Sequence, residues 1–293
     1  MAETDERARV GVMGGSGLYA MEELRDVREV RVSTPFGQPS DAITLGSLDG
    51  VRVAFLPRHG KGHPILPSEV NARANIYALK SLGVEFLIAA SAVGSMREEI
   101  VPRHMVVPDQ IIDRTKGRPS TFFGGGIVGH IPFADPFCAQ LSPIVADACQ
   151  STGATVHRGG TYLCMEGPQF STRAESNLYR SWGVSIIGMT AIPEAKLARE
   201  AEMCYAMIAQ ATDYDCWYDG HESVSAELVM HTVAENVATV RRALLALIAN
   251  IPQQRTCGCA DALAHAIQTD PRYISPQAVE RLGVIYEKYR TKQ

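Results

Sequence analysis

The sequence predicts an α/β fold, a single domain built on a central mixed β-sheet flanked by helices. Two observations carry that expectation. Short apolar runs that read as buried strands alternate with longer stretches of helical periodicity, and the strands end repeatedly in glycine, serine or charged residues. At 293 residues the chain can bury a large core, and no linker divides it.

In chain order, Val10 to Met13 reads as a buried strand ending in the turn Gly14-Gly15-Ser16-Gly17. Val51 to Leu56 places Val51, Val53 and Phe55 on one face and stops at Pro57-Arg58-His59-Gly60. Ser68 is expected to cap a helix running to Leu82, with Gly83 as its stop. Phe86 to Ser91 is a continuous apolar run short enough for a central strand, so these segments make a βαβ unit. Thr161 to Met165 and Ser185 to Met189 are strand-like, and between them Thr172 with Glu175 forms a T-x-x-E capping box for a helix to about Trp182. Pro193 suits a helix's first turn. Met203 to Thr212 is apolar throughout, and its abrupt polar end at Asp213-Tyr214-Asp215 favours a strand. Ser225 caps a long helix in which Leu228, Val233, Val237, Val240, Leu244 and Leu247 recur at helical spacing until Pro252. The expected organisation is a domain over residues 8–252 and a tail over 253–293. The tail is helical in part, over 260–267 and 276–289, and packs on the same domain.

Composition removes several classes of function. With 46% hydrophobic and 20% charged residues and a net charge of −4, the chain has an ordinary globular balance. No Lys/Arg-rich block offers itself to nucleic acid or an anionic membrane. The charged start MAETDERARV gives a secretory signal no apolar region, and the longest helical apolar stretch, 243–251, is about half a bilayer span. A cytoplasmic protein with no membrane or nucleic-acid partner is expected. Of seven cysteines, Cys138, Cys149, Cys164, Cys204 and Cys216 sit in apolar surroundings and read as buried small hydrophobes. Cys257-Gly258-Cys259 stays open between a strained disulfide, a fragment of a metal site and two free thiols, with no His or Cys at ligand spacing nearby.

Four strand ends carry anion-binding groups. The glycines around Ser16 let backbone N–H groups turn inward, and Ser16 adds a hydroxyl. Arg58 and His59 offer a guanidinium fork and an imidazole. Ser91-Ala92-Val93-Gly94-Ser95 offers amides freed where the strand is expected to stop, and Met189-Thr190-Ala191 adds a hydroxyl. Each alone is a turn or a surface pair; together at equivalent ends of one sheet they point to phosphate. The fifth end is acidic. In an extended chain Asp213 and Asp215 project to one side, either capping the next turn or facing a nitrogen base. A purine leaves a sugar more readily when its N7 is protonated, and two neighbouring carboxylates raise the apparent pKa of one, as a proton donor requires.

The first turn also matches G-x-G-x-x-A through Gly15, Gly17 and Ala20, the spacing of a dinucleotide site. That reading needs a helix next and then a strand ending in Asp or Glu. The chain instead gives a charged stretch, Glu22 to Arg31, and then Val32 to Phe36 with no terminal acid. A non-catalytic nucleoside-binding protein is the other rival class, and it would be expected to lack one anion ligand.

The stretches GGSGLY, PRHGKGH, NARANIYALKSLG, AASAVGS, HIPFADPFC, EGPQFSTRAES, GMTAIPEAKLAREAEMCYA and ATDYDCW resemble the trimeric purine nucleoside phosphorylases, and within them the 5′-methylthioadenosine phosphorylases, from about residue 8 to residue 250. The resemblance implies a nucleoside phosphorylase-like fold and phosphate-dependent cleavage of methylthioadenosine to adenine and 5-methylthio-ribose 1-phosphate, in purine and methionine salvage. It implies phosphate held by Ser16, Arg58, His59, Ser91, Ala92 and Thr190, with Met189 under the ribose. Phe170 and Ser171 would line the base, and Asp213 and Asp215 would engage N7 and the 6-amino group. His130 would reach a neighbouring subunit's site, and Ala226 and Val229 would flank the 5′ group, Ala226 leaving more room than the usual valine. His63 stays open between a loop residue and a 5′ neighbour. The carboxylate at Asp213, where 6-oxopurine relatives carry asparagine, argues for adenine. The implied partners are a purine nucleoside and phosphate as co-substrate, with no metal and no other cofactor, in a homotrimer whose pairing into a hexamer is open. Methylthioinosine, purine nucleosides in general and other 5′-modified 5′-deoxyadenosines remain rival substrates.

Overall fold

The computed structural model describes residues 7–15, 17–18, 21–219 and 224–292. Its centre is the long strand β5 (Phe86–Ser95), whose alternate side chains feed two separate cores. Leu87 and Ala89 join Leu45, Leu56, Ile76, Leu79 and Leu197 on one face. Phe86, Ile88 and Ala90 join Val12, Phe55, Val145, Leu244 and Leu247 on the other. That period of two, with both faces buried, makes the segment a continuous apolar run. The first face is covered by α1 (Ala72–Ser81) and α4 (Ala191–Glu200), the second by α2 (Leu141–Ser151) and α5 (Ala226–Ala249).

One edge of β5 is shared. The strand β1 (Val10–Gly14) pairs with it in parallel only as far as Ala89, and β10 (Ile186–Gly188) pairs antiparallel only at Gly94 and Ser95. The opposite edge carries β11 (Cys204–Asp213) in parallel along nearly its whole length. Ala90 to Val93 therefore face no strand on the β1 edge among the described residues. Beyond β1 lie β4 (Val51–Pro57), β3 (Ile43–Leu48) and β2 (Arg25–Val30); beyond β10 lie β9 (Thr161–Met165) and β7 (Gln110–Arg114). Short β6 (Met105–Val107) pairs with β11, and β8 (Val156–Arg158) with β6, so the sheet is mixed, as expected.

Several sequence expectations need correction. Strand β5 does not stop at Ser91; it runs to Ser95 because β11 continues to pair with it. The helix expected from Ser68 starts later, at Ala72, because Asn71 caps it by accepting from the Ala74 amide at 3.2 Å. Its stop is as read, since Gly83 adopts φ +89°, and the Thr172–Glu175 capping box opens α3 (Arg173–Ser181). The charged segment 22–31 contains β2, an exposed edge strand antiparallel to β3, where charge rather than apolar alternation is the norm. In the tail only Pro276–Leu282 is α-helix (α6), ended by Gly283 at φ +46°, and a 3-10 turn at Gly258–Asp261 replaces the expected 260–267 helix. Tail residues Leu263, Ala266, Leu282, Ile285 and Tyr286 nonetheless join the first core. Cys257 and Cys259 do have partners: Cys138 and Cys204 come in from far along the chain.

No helix of the described residues is long and apolar enough to cross a membrane.

Candidate active site

The break in pairing along β5 is where the sequence-predicted residues gather. Strand β4 ends at Pro57, and the Arg58 amide donates to Gly14 O at 3.0 Å, so the Arg58 side chain enters beside the end of β1. Its guanidinium is 3% exposed and does not wait as a free fork. Nε donates to Glu194 Oε1, NH2 to Glu194 Oε2 at 3.2 Å and to Met13 O at 3.2 Å, and NH1 to Ala90 O at 3.0 Å. Four of its five N–H groups are thereby engaged, which leaves one NH1 hydrogen for an anion. Burial alone would lower the Arg58 pKa; the adjacent Glu194 carboxylate outweighs it and the net shift is upward.

His59 follows, with Nδ1 at 2.9 Å from Ile65 O. A carbonyl can only accept, so Nδ1 carries the proton and Nε2 presents a lone pair. Burial first, and the Arg58 charge second, push its pKa down to about 4, which keeps the ring neutral near pH 7. The exposed His63 stacks on it, ring centroids 4.2 Å apart.

Across the break, Ser91 Oγ lies 2.9 Å from Thr190 Oγ1, joining β5 to the start of α4. Thr190 is the N-cap of α4 yet makes no side-chain cap bond, so its hydroxyl is not committed to the helix. Its amide donates to the buried Tyr162 hydroxyl at 3.3 Å. Ala92, half-buried, follows Ser91. The turn at 14–17 is braced by α5, where Arg241 Nε donates to Gly17 O at 3.0 Å; Ser16 itself lies outside the described residues.

The acidic end lies further along the same strands. In the β11–β5 register Asp213 stands opposite Gly94, three residues beyond Ser91, or about 10 Å at ~3.3 Å per residue. Asp213 is 4% exposed: Oδ2 accepts from the Thr212 hydroxyl at 2.7 Å and Oδ1 from the Asp215 amide at 2.7 Å. It therefore does cap the following turn, and extended geometry ends there, since Asp215 has φ +51°. Both side chains still converge, because a Cβ placed on Gly94 would meet Asp213 Oδ1 at 3.0 Å and Asp215 Cβ at 3.4 Å. Burial pushes the Asp213 carboxyl up to about 6, against the pull of the Thr212 hydroxyl and the Asp215 amide, and burial also raises that of Asp215. A buried carboxyl raised to about 6 can donate to a base nitrogen near neutral pH.

The remaining residues are more scattered. Ser171 is buried and its carbonyl accepts from the Cys216 thiol at 3.3 Å, while Phe170 is 41% exposed. Ala226 is exposed and Val229 half-buried at the start of α5, where Ser225 caps by accepting from the Leu228 amide at 3.2 Å. His130 is exposed, its amide bonded to Ala266 O at 2.8 Å, so the tail fixes its backbone. Sequence reading missed Glu194 and Arg118. Arg118, with a side chain 4% exposed, donates to Met189 O at 2.7 Å, Ile192 O at 2.9 Å and Glu166 O at 2.6 Å. It ties the Met189 segment to the loop after β9 and uses one of the two lone pairs of the Met189 carbonyl. A lone arginine among Thr115 to Pro119 gives no signal of this role.

The chain is similar to known proteins along most of its length. The family model of the phosphorylase superfamily matches residues 9–249. The S-methyl-5′-thioadenosine phosphorylase of Geobacter sulfurreducens is 60% identical over 281 residues, covering 96% of this chain and 98% of that protein. That of Chloroflexus aurantiacus is 56% identical over 283 residues, with 96% and 98% covered. Among solved structures, a methylthioadenosine phosphorylase from an antarctic soil metagenomic library aligns with a TM-score of 0.92 at 46% identity, covering 96% of this chain and 99% of that one. The Schistosoma mansoni enzyme in complex with adenine aligns with a TM-score of 0.81 at 39% identity, covering 85% and 93%.

Proposed function

The chain belongs to the phosphorylase superfamily, and from that premise we propose that it cleaves S-methyl-5′-thioadenosine with inorganic phosphate to adenine and 5-methylthio-ribose 1-phosphate, as a pentosyltransferase of purine and methionine salvage. The observation that carries the substrate side is the buried Asp213 carboxyl, raised to about 6, at one end of a β5 segment whose other end holds the Ser91–Thr190 hydroxyl pair. The roughly 10 Å between them suits a ribose with phosphate on one side and a base on the other.

A phosphate oxygen attacks C1′ as the C1′–N9 bond breaks, its electron pair passing to adenine through an oxocarbenium-like state that the phosphate charge stabilises. Asp213 gives its proton to N7 of the leaving base. Forming the ester releases the phosphate's own proton, which leaves to solvent as Asp213 is reprotonated, so protons balance over the reaction; neutral His59, too weak a base at about 4 to keep that proton, accepts the phosphate O–H as a hydrogen bond through Nε2. Arg58, held by Glu194, contributes one directed N–H, and Ser91, Thr190, the Ala92 amide and Ser16 complete the phosphate cradle. Met189, Phe170 and Ser171 bound the sugar and base, and Ala226 and Val229 the 5′ group. The chain works as a homotrimer in which the exposed His130 reaches the neighbouring site. Neither a metal nor a redox cofactor enters this chemistry.

The test is phosphate-dependent base release from methylthioadenosine, methylthioinosine, adenosine and inosine measured side by side. Preference for methylthioadenosine supports the proposal, and preference for the inosine forms overturns the role of Asp213.

A further inference from the structure

Four cysteines that the nucleoside reaction does not use meet at the far end of β11. Cys204 is its first residue and Asp213 its last, so the cluster lies about 30 Å from the base-recognition carboxyls at ~3.3 Å per residue. Cys138 precedes α2 and is fixed by its amide, which donates to Tyr205 O at 2.8 Å. Cys257 and Cys259 arrive from the tail after α5, where the Thr256 amide donates to Gln140 Oε1 at 2.9 Å. All four Sγ atoms lie within 4.8 Å of one another. Cys257 Sγ is 3.6 Å from Cys138 Sγ and 3.4 Å from Cys204 Sγ.

These spacings fit one ion. A tetrahedron with metal–sulfur bonds of about 2.3 Å has sulfur–sulfur edges of about 3.8 Å. A cluster of several irons spreads its cysteines round a wider perimeter. Four thiolates are soft donors in a tetrahedral arrangement, which selects zinc over hard cations, and a complete set of four leaves no open position for chemistry. The setting favours thiolate: the Leu141 amide donates to Cys138 Sγ at 3.4 Å. Cys138, Cys204 and Cys259 are buried, and Cys257 is half-exposed, on the side where an ion can reach the site.

We propose that Cys138, Cys204, Cys257 and Cys259 bind a single zinc ion that fastens the C-terminal tail to the sheet. Binding exchanges the remaining thiol protons for the metal, with no change of oxidation state. Because three separate segments supply the ligands, the ion ties together parts of the chain up to 119 residues apart between Cys138 and Cys257.

The experiment is metal analysis and thiol counting on the full-length chain purified without chelator. About one zinc per chain is expected, released on adding a chelator, with all seven cysteines of the sequence then titrating in denaturant. Replacement by cobalt(II) should give the intense visible bands of a tetrahedral thiolate site, and Cys257→Ser should lose zinc on dialysis far faster than the parent. If the chain arrives metal-free, its reduced form should take zinc from a chromogenic chelator in a one-to-one titration. Two disulfides, seen as only three titratable thiols of the seven, would overturn the proposal, and so would reduced thiols that fail to compete for zinc. Phosphorolysis is read separately, so its loss and the loss of zinc are distinguishable.

Discussion

Arg58 and Glu194 form a buried ion pair in which the carboxylate takes both Nε and NH2 of the guanidinium, with side chains 3% and 2% exposed. The proposed phosphate site is therefore not built on an uncompensated positive charge; its arginine is neutralised and aimed by a carboxylate supplied by α4. Breaking a buried pair leaves a charge without a partner at a cost of about 3–5 kcal/mol, less where one hydrogen bond survives. Glu194→Gln should lower the melting temperature of the phosphate-free protein. Added phosphate, which supplies the missing negative charge, should then raise it by more than it raises the parent. Equal phosphate-induced shifts in the two proteins would show that phosphate does not sense Arg58.

The identity of the base should rest on Asp213. An asparagine there can still donate to a carbonyl at C6 but cannot give a proton to N7. Asp213→Asn is expected to lower kcat/KM for methylthioadenosine by about 10²-fold or more, in the range of general acid catalysis, with a much smaller loss on methylthioinosine. Equal losses on the two substrates would contradict the assigned role.

Proton uptake should accompany binding of methylthioadenosine, measured without phosphate so that the nucleoside stays intact. With a carboxyl raised to about 6 in the free protein, Asp213 is mostly ionised at pH 7.5 and must acquire a proton before it can donate to N7. Uptake should therefore approach one proton at pH 7.5, fall towards zero below pH 5 where the group is already protonated, and vanish in Asp213→Asn. Calorimetry in buffers of different ionisation heat measures it directly. A binding enthalpy independent of buffer at pH 7.5 would rule this linkage out.

What the sequence revealed and what it hid divide along physical lines. β1, β5 and β11 were legible because both of their faces are buried and the apolar run is continuous. β2 was hidden because an edge strand reading RDVREV is exposed and shows no alternation. α2 was hidden because its N-cap is Gln140, which is not a capping residue type and makes no side-chain bond. At the site, Arg58, Thr190 and Asp213 stood at strand ends, where position alone marks them. Glu194 lies inside IPEAKLARE, which reads as a helix with a solvated face. Only the packing of α4 against α1 and β11 buries its carboxyl, between the Arg58 guanidinium and the Tyr205 hydroxyl. The cysteine cluster was hidden by distance along the chain, since ligand spacing is a local signal and these ligands come from three segments.

Gly94 leaves room for the Asp213 and Asp215 carboxyls by having no side chain. Its backbone is not in the left-handed region, so alanine costs nothing in strain there, and the whole effect of Gly94→Ala is steric. The new Cβ would lie 3.0 Å from Asp213 Oδ1 and 3.0 Å from Ile187 Cγ2, closer than ordinary contact, so the carboxyl must move by a few tenths of an ångström. The Ser91–Thr190 pair, three residues back along β5, is out of reach of that methyl. Gly94→Ala should therefore lower kcat/KM for the nucleoside by about tenfold, a modest share of what an ångström of misplacement costs, while the KM for phosphate stays within about twofold. Combining it with Asp213→Asn separates position from packing: if the methyl acts by displacing the acid, its cost shrinks once the acid is gone. Additive losses in the double variant would mean that Gly94 matters for the sheet and not for Asp213.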